Sequence, residues 1–502
     1  MKLGALIEGF SYELLAGSLD VEVAAIHYDS RRVGPGSLFV AIPGRKFDGH
    51  AFIPDALERG AAALVVERGP AKGTPWPVPV VRMEDGRRAL AHISSKFYQH
   101  PSRKIQVIGV TGTNGKTTTT YLLESILRCA GHRVGVVGTI NYRLGSEVFP
   151  AERTTPEASD LQALLDLMVQ KGARCAVIEV SSHSLSLRRV EGCEFDLAIF
   201  TNLSQDHLDF HGSLEDYFQA KARLFAGLGV DAFKTGPKYA VLNADDPWTK
   251  RVAKLTRAQM ITYGLKDGAD LTGVDLCLSL DGIRFTLRAQ ERSIPIVSPL
   301  VGKYNVYNIM AAAGAAIALG LSDQAIREGV CRMEQVPGRF EKVEAGQDFT
   351  VVVDYAHTSD DLERVLRAAR ALSQGRLITV FGCGGDRDRT KRPLMGEVAA
   401  RFSDYSILTS DNPRSEDPGQ IIAEIEEGVK RVCPDGNRYV KIIERAKAIQ
   451  EAMKMARSRD LVVIAGKGHE IYQIIGERAI PFDDRAVARE ALSRLGYKGV
   501  HG

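Results

Sequence analysis

The 502-residue sequence predicts an α/β protein built as three successive blocks. Three observations carry that prediction. The chain is too long for one hydrophobic core, so several domains are required. Near-continuous apolar runs recur along it, each ending in Gly or polar residues, as buried parallel strands do. The run pattern also restarts twice, which sets expected domains of 1–99, 100–335 and 336–502.

The first block alternates short strands and helices, as in GSLFVAIPG (Gly36 to Gly44) and AAALVVE (Ala61 to Glu67). YQHPSRK, Tyr98 to Lys104, reads as a linker. The second block opens on IQVIGV and continues through CAVIEV (Cys175 to Val180) and FDLAIFTNL (Phe195 to Leu203), a mostly parallel sheet. Alternation between Leu271 and Val301 predicts an antiparallel insertion. In the third block FTVVVDYAH, RLITVFGCGG, YSILTSDNP and DLVVIAGKGHE are strands whose carboxyl ends carry polar residues, the edge where open α/β sheets bind ligands.

Composition narrows the partners. A net charge of +3 without a basic block disfavours nucleic acid. Seven scattered cysteines with no Cys-x-x-Cys pair suit reduced thiols in a cytoplasm, not a disulfide frame or a zinc site. Glu8 and Glu13 interrupt the apolar N-terminus, so no signal peptide is expected. IMAAAGAAIALGL from Ile309 is too short to span a bilayer and predicts a buried helix. A cytoplasmic monomer without membrane insertion is expected.

The strongest chemical signal is VIGVTGTNGKTTTTYLLESIL. A buried strand ends at Val110, a Gly-rich loop follows, and Lys116 and Thr117 open an amphipathic helix. Backbone N–H groups there can cradle phosphates, Lys116 can reach the β- and γ-phosphates, and Thr117 can hold Mg²⁺. The usual loop has Gly where this chain has Val110. The variant running from Gly112 to Thr117 resembles the nucleotide loop of Mur ligases and folylpolyglutamate synthetases.

In SLEDYFQAKARLFAGL an apolar stripe of Tyr217, Phe218, Leu224 and Phe225 surrounds Lys221. Two accounts fit a Lys on that face. It can snorkel to water, or burial can leave a neutral, nucleophilic amine that takes up CO₂ as a carbamate. Glu179, His183, Asp206, His207, Asp209 and His211 lie in neighbouring motifs, and a two-cation site of Thr117, Glu179, His207 and Lys221 is one arrangement they allow. In ILTSDNPRSEDP a strand-like run ends at Asp411-Asn412-Pro413-Arg414. Arg414 leaves a proline-stiffened turn either as a solvated surface side chain or as a fork for a carboxylate.

TGTNGKTT, RTTPEAS, EVSSHSLSLRRV, DHLDFHGSLEDYFQAKARLF, GKYNVYNIMAA, VPGRFE, DYAHTSDDLE, FGCGGDRDRTKRPLMG, DNPR and AGKGHE occur in this order. Together they closely resemble the Mur ligase family, in its diaminopimelate-adding branch, over nearly the whole chain. The resemblance implies an N-terminal α/β uridine-nucleotide domain, a central P-loop ATPase and a C-terminal Rossmann-like domain for the incoming amino acid. It implies ATP-dependent joining of meso-diaminopimelate to the D-Glu carboxylate of UDP-MurNAc-L-Ala-D-Glu, with two Mg²⁺ and a carbamate on Lys221.

Site roles follow from the same resemblance. Lys116, Lys221, Glu179 and His207 would be catalytic, with Thr117, Glu179, His207 and Lys221 on the metal. ATP would meet Gly112, Thr113, Asn114, Gly115, Lys116, Thr117, Thr118, Asn305, Arg339 and Asp354. The uridine substrate would meet Ser30, Arg45, Lys46, Phe47, Thr154, Thr155, Ser181, Arg189 and Lys221. Diaminopimelate would meet Arg387, Asp411, Asn412, Pro413, Arg414, Gly466 and Glu470. The chain departs from the family pattern at Arg45-Lys46-Phe47, at Leu187, where a polar contact is lost, and at Ser359, where the usual Pro is missing. A lysine-adding relative, a folylpolyglutamate-type or D-Ala-D-Ala-adding ligase, and a nucleotide-dependent switch remain as alternatives; the Arg of DNPR disfavours the first, and DNPR beside GCGGDRDR the next two.

Overall fold

The computed structural model describes residues 1–44, 47–69, 75–230 and 232–497. It holds three main sheets in chain order. The first has five strands, four of them parallel, with Glu13–Ala16 added antiparallel at one edge. The second has eleven strands. Its middle is parallel, and Gln106–Thr111 lies there between Cys175–Glu179 and Leu197–Phe200. The third has six strands with Leu461–Ala465 and Leu377–Phe381 inside, and a separate two-stranded ribbon, Tyr472–Ile475 with Arg478–Pro481, follows.

The stretch expected as an insertion forms strands Leu271–Ser279, Gly282–Ala289 and Arg292–Ser298. They are antiparallel to one another as predicted, but they extend the central sheet at its edge instead of interrupting it. Their inward positions pack with helix Lys303–Ala318, which is buried along most of its length. Among the described residues no helix is long and apolar enough to cross a membrane. All seven cysteines are free thiols.

The expected linker is packed rather than loose. His100 adopts a left-handed φ of 54°, Pro101–Arg103 makes a single turn, and the buried Ser102 hydroxyl accepts from the Glu194 amide at 3.1 Å. The first sheet is tied to the central one by Tyr28 and Arg32, which both bond Asp160.

Parallel topology puts the strand ends that matter on one edge. Ser359 begins helix Ser359–Leu372, and Thr358 caps it by accepting from the Asp361 amide at 3.2 Å. The first helical position tolerates Pro because its amide is unpaired anyway, so Ser359 fits without rearrangement. Leu187 closes the short helix Ser182–Ser186.

Candidate active site

The phosphate loop is shaped by close approach. Gly112 and Gly115 have φ of 147° and 86°, and a Cβ on either would overlap Thr201 Oγ1 or Asn308 Oδ1. Asn202 braces the loop from outside, accepting from the Asn114 amide at 3.0 Å while its own carbonyl accepts from the Thr113 amide at 2.8 Å. Lys116 folds back, donating to the Gly112 and Thr113 carbonyls at 3.0 and 2.8 Å. Burial lowers its pKa. Val110 is an interior strand position, and Thr118 is buried in the first helical turn.

Glu179 ends its strand facing that helix. It accepts from Thr117 Oγ1 at 3.0 Å and from the Thr139 amide and hydroxyl at 3.0 and 2.9 Å. Thr154 meets Thr139 at 3.1 Å, and Thr155 donates to the Glu179 carbonyl at 2.6 Å and to Ser181 at 3.4 Å. Arg189 donates to the Thr155 carbonyl at 3.1 Å and to Glu157 at 2.9 Å. The structure therefore brings together Thr154, Thr155, Ser181 and Arg189 at the Glu179 strand end. Thr139 was not foreseen, because nothing near it in sequence marks it.

Lys221 is 2% exposed on helix Leu214–Ala226. It donates to the Gly112 carbonyl at 2.7 Å, and its Nζ lies 4.5 Å from the Tyr217 ring centre. It does not snorkel. Burial first, and then the Lys116 charge, push its pKa well below that of an ordinary lysine. His207 meets the same tyrosine edge-on, 6.1 Å between ring centres, and His183 is 4.8 Å from His207. Burial lowers the pKa of His207 as well. Among the described residues no group of three or more His, Cys, Asp and Glu side chains forms a ready metal site. The four expected ligands fall instead into two sets: Thr117 bonded to Glu179, and Lys221 with His207 around Tyr217.

Asn305 donates to the Val301 carbonyl at 2.8 Å and accepts from Asn308 at 2.8 Å. It thus secures a helix start, and Asn308 is the side chain that reaches the loop at Gly115. Arg339 sits over Tyr355, 4.8 Å to the ring centre, and its Nε is buried without a partner, as is Tyr304 Oη. Asp354 accepts from the Phe340 and Ala356 amides at 2.7 and 2.8 Å, and burial pushes its pKa up to about 6.

A cleft of about 1270 Å³ opens between the central and third sheets. Asp206 and His207 line one wall; Arg387, Asp411, Asn412, Arg414, Gly466 and Glu470 line the other. Arg414 has a left-handed φ of 52°, and its backbone pairs with the ribbon through the Ile474 carbonyl at 3.1 Å and the Gly476 amide at 2.8 Å. That pairing, more than Pro413, fixes its direction. Asn412, expected to meet diaminopimelate, lines this wall and is also bonded within it. Its Oδ1 accepts from Lys467 at 3.1 Å and Ile474 at 2.9 Å, and its Nδ2 donates to Glu470 at 2.9 Å. The fully buried Lys467 was overlooked although it lies in AGKGHE.

Ser30 is buried in the turn Ser30–Arg32. Phe47 is largely exposed and packs edge-on against Phe52 at 6.3 Å. Arg45 and Lys46 lie outside the described residues.

A phosphate loop on the central sheet, tied through Asn114 to Asp360, beside a polar cleft between the central and third sheets defines a nucleotide-dependent ligase that joins an acid to an amine. Family models agree. The Mur ligase middle domain matches residues 110–316, the Mur ligase glutamate ligase domain 338–468, and the Mur ligase family catalytic domain 22–98. The UDP-N-acetylmuramoyl-L-alanyl-D-glutamate--2,6-diaminopimelate ligase of Geobacillus thermodenitrificans is 48% identical over 471 residues, 94% of this chain and 95% of that one. Its counterpart in Caldanaerobacter subterraneus is 46% identical over 98% of this chain and 99% of its own. A solved structure of a ligase with the same description is 36% identical, with a TM-score of 0.69 over 99% of this chain and 100% of that one. This chain belongs to the Mur ligase family.

Proposed function

We infer that the protein joins meso-diaminopimelate to the D-Glu carboxylate of UDP-MurNAc-L-Ala-D-Glu at the expense of ATP, a step of peptidoglycan precursor synthesis in the cytoplasm. The single observation that carries this is the shared cleft, with Asp206 and His207 on one wall and Arg387, Arg414 and Glu470 on the other. Relatives of nearly full length bearing that activity in their names support it.

The carboxylate oxygen attacks the γ-phosphorus, the bond to the bridging oxygen breaks, and ADP leaves behind an acyl phosphate. The neutral amine then attacks the acyl carbon, the C–O bond to phosphate breaks, and the nitrogen sheds a proton. Lys116 offsets charge on the transferring group. Closing the cleft excludes the water that would hydrolyse the intermediate. The unpartnered Arg339 Nε is a buried donor suited to an anionic nucleotide.

Thr117 and Glu179 are hard oxygen donors that suit Mg²⁺, and His207, whose Nε2 lies 3.4 Å from Asp206 Oδ2, is biased by burial toward the neutral form that can ligate a second ion. When bound, such ions supply charge neutralisation around the phosphates. Lys221 fits carbamylation, since its amine is buried and biased to neutrality. Addition of its neutral nitrogen to CO₂, with loss of one proton, would convert the amine into an anionic carbamate.

The test offers ATP, the UDP-dipeptide and either diaminopimelate or lysine, with product masses read directly. A diaminopimelate adduct accompanied by ADP is expected. ADP release without either acceptor would favour a nucleotide switch.

A further inference from the structure

Arg445 and Asp484 form an ion pair in which both side chains are 0% exposed. The pair is bidentate, with Nε to Oδ1 and Nη2 to Oδ2 both at 2.7 Å. Stability alone explains it poorly. Arg445 is the first residue of helix Arg445–Met455, where the helix dipole disfavours a cation. A fully buried pair also gains little over well-packed apolar residues.

What the guanidinium reaches is more informative. Nη1 donates to the Ser410 carbonyl at 3.3 Å and Nη2 to the Ala465 carbonyl at 3.0 Å. Those residues immediately precede Asp411 and Gly466, which both line the cleft. Their strands, Tyr405–Leu408 and Leu461–Ala465, are not neighbours, because Leu377–Phe381 lies between them. Backbone pairing therefore cannot set the spacing of the two loops directly. The fork spans the gap. On its far side the Asp411 carboxylate lies so close to Gly466 that a Cβ there would stand 2.5 Å from Oδ2, at a φ of 116° that favours Gly.

We propose that Arg445, held by Asp484, is a positioning residue for the incoming amino acid, fixing Asp411 against Gly466 and so shaping the part of the cleft that takes its ammonium group. This rests on the proposed amide-ligase function. Arg445 touches no substrate; it acts through the two loops it joins.

The experiment uses the full-length enzyme with Arg445→Lys and with the paired substitution Arg445→Met/Asp484→Leu. KM is measured for diaminopimelate, ATP and the UDP-dipeptide, alongside kcat and thermal unfolding. Both variants should raise KM for diaminopimelate about tenfold, leaving the other two within about twofold. The apolar pair should unfold no earlier than the wild type. An unchanged KM for diaminopimelate, an equal rise in all three, or full rescue by Arg445→Lys overturns the proposal. Wild-type enzyme run beside them separates the two ideas. If it incorporates a different amine, the functional reading fails, and the same comparison made with that amine still decides the role of Arg445.

Discussion

Lys116 and Lys221 donate to one carbonyl, that of Gly112, at 3.0 and 2.7 Å. Two buried ammonium groups this near each other favour loss of a proton from one. Lys221 is the better candidate, because burial and the Lys116 charge both oppose its cationic form. Lys221→Ala is expected to lower kcat by about 10²–10³-fold or more, and added bicarbonate should not restore it. With ¹³CO₂ the wild type should show a carbamate resonance that the variant lacks. Full activity in Lys221→Ala would dismiss the carbamate.

Stability in acid should reflect two opposed groups near the third sheet. Burial pushes His469 down to about 3 from 6.5, so acidification through that window protonates the unfolded chain first and costs stability. Burial pushes Asp354 up to about 6 from 3.8, so the folded protein binds that proton first and gains stability as pH falls. His469→Phe should keep the ring contact with Tyr355, 4.9 Å between centres. Urea unfolding at about pH 7 and about pH 5 should show His469→Phe gaining on the wild type as pH falls, and Asp354→Asn losing ground. Parallel curves for either variant would contradict the assignment.

These groups also mark how far sequence carries. Strand ends and the phosphate loop were legible because their signals are local: an apolar run, then Gly and polar residues. The buried face around Lys221 was legible from helical spacing, though the choice between snorkelling and burial needed the loop carbonyl that meets it. The internal partners of Asn412, Lys467 and Ile474, were not legible because they come from a loop and ribbon about sixty residues later. Asn308 lies in GKYNVYNIMAA but without a mark of its role, and Thr139 and Arg445 carry no local signal. Their roles exist only once distant strands are side by side.

The third domain is latched to the phosphate loop by Asp360, which accepts from Ser204 Oγ at 2.8 Å and from Asn114 Nδ2 at 3.4 Å. Arg364 shares the same carboxylate at 2.9 Å. Asp360→Ala should loosen closure without emptying either half-site. The expected outcome is a kcat reduced about tenfold, with more ATP hydrolysed per amide formed as water enters. Unchanged coupling of ADP release to product would show that the latch does not govern closure.

Arg414 is the group on which amine selectivity should turn. Its Nη1 donates to the Gly385 carbonyl at 2.8 Å, and Gly384 and Gly385 leave no room for side chains against Arg414 and Pro413. Burial, and then the nearby Arg387 charge, disfavour its cationic form, and Asp411, Glu470 and Asp386 offset them only in part, which a further anion beside the fork would complete. A distal carboxylate would supply one, and lysine has none. Arg414→Ala should therefore lower kcat/KM for diaminopimelate roughly a hundredfold while leaving KM for ATP unchanged. Arg414→Lys should fall between, because a point charge cannot reproduce the planar fork. Side-by-side assays of both amines decide the matter. If the wild type accepts lysine as readily as diaminopimelate, the fork is not reading the second carboxylate.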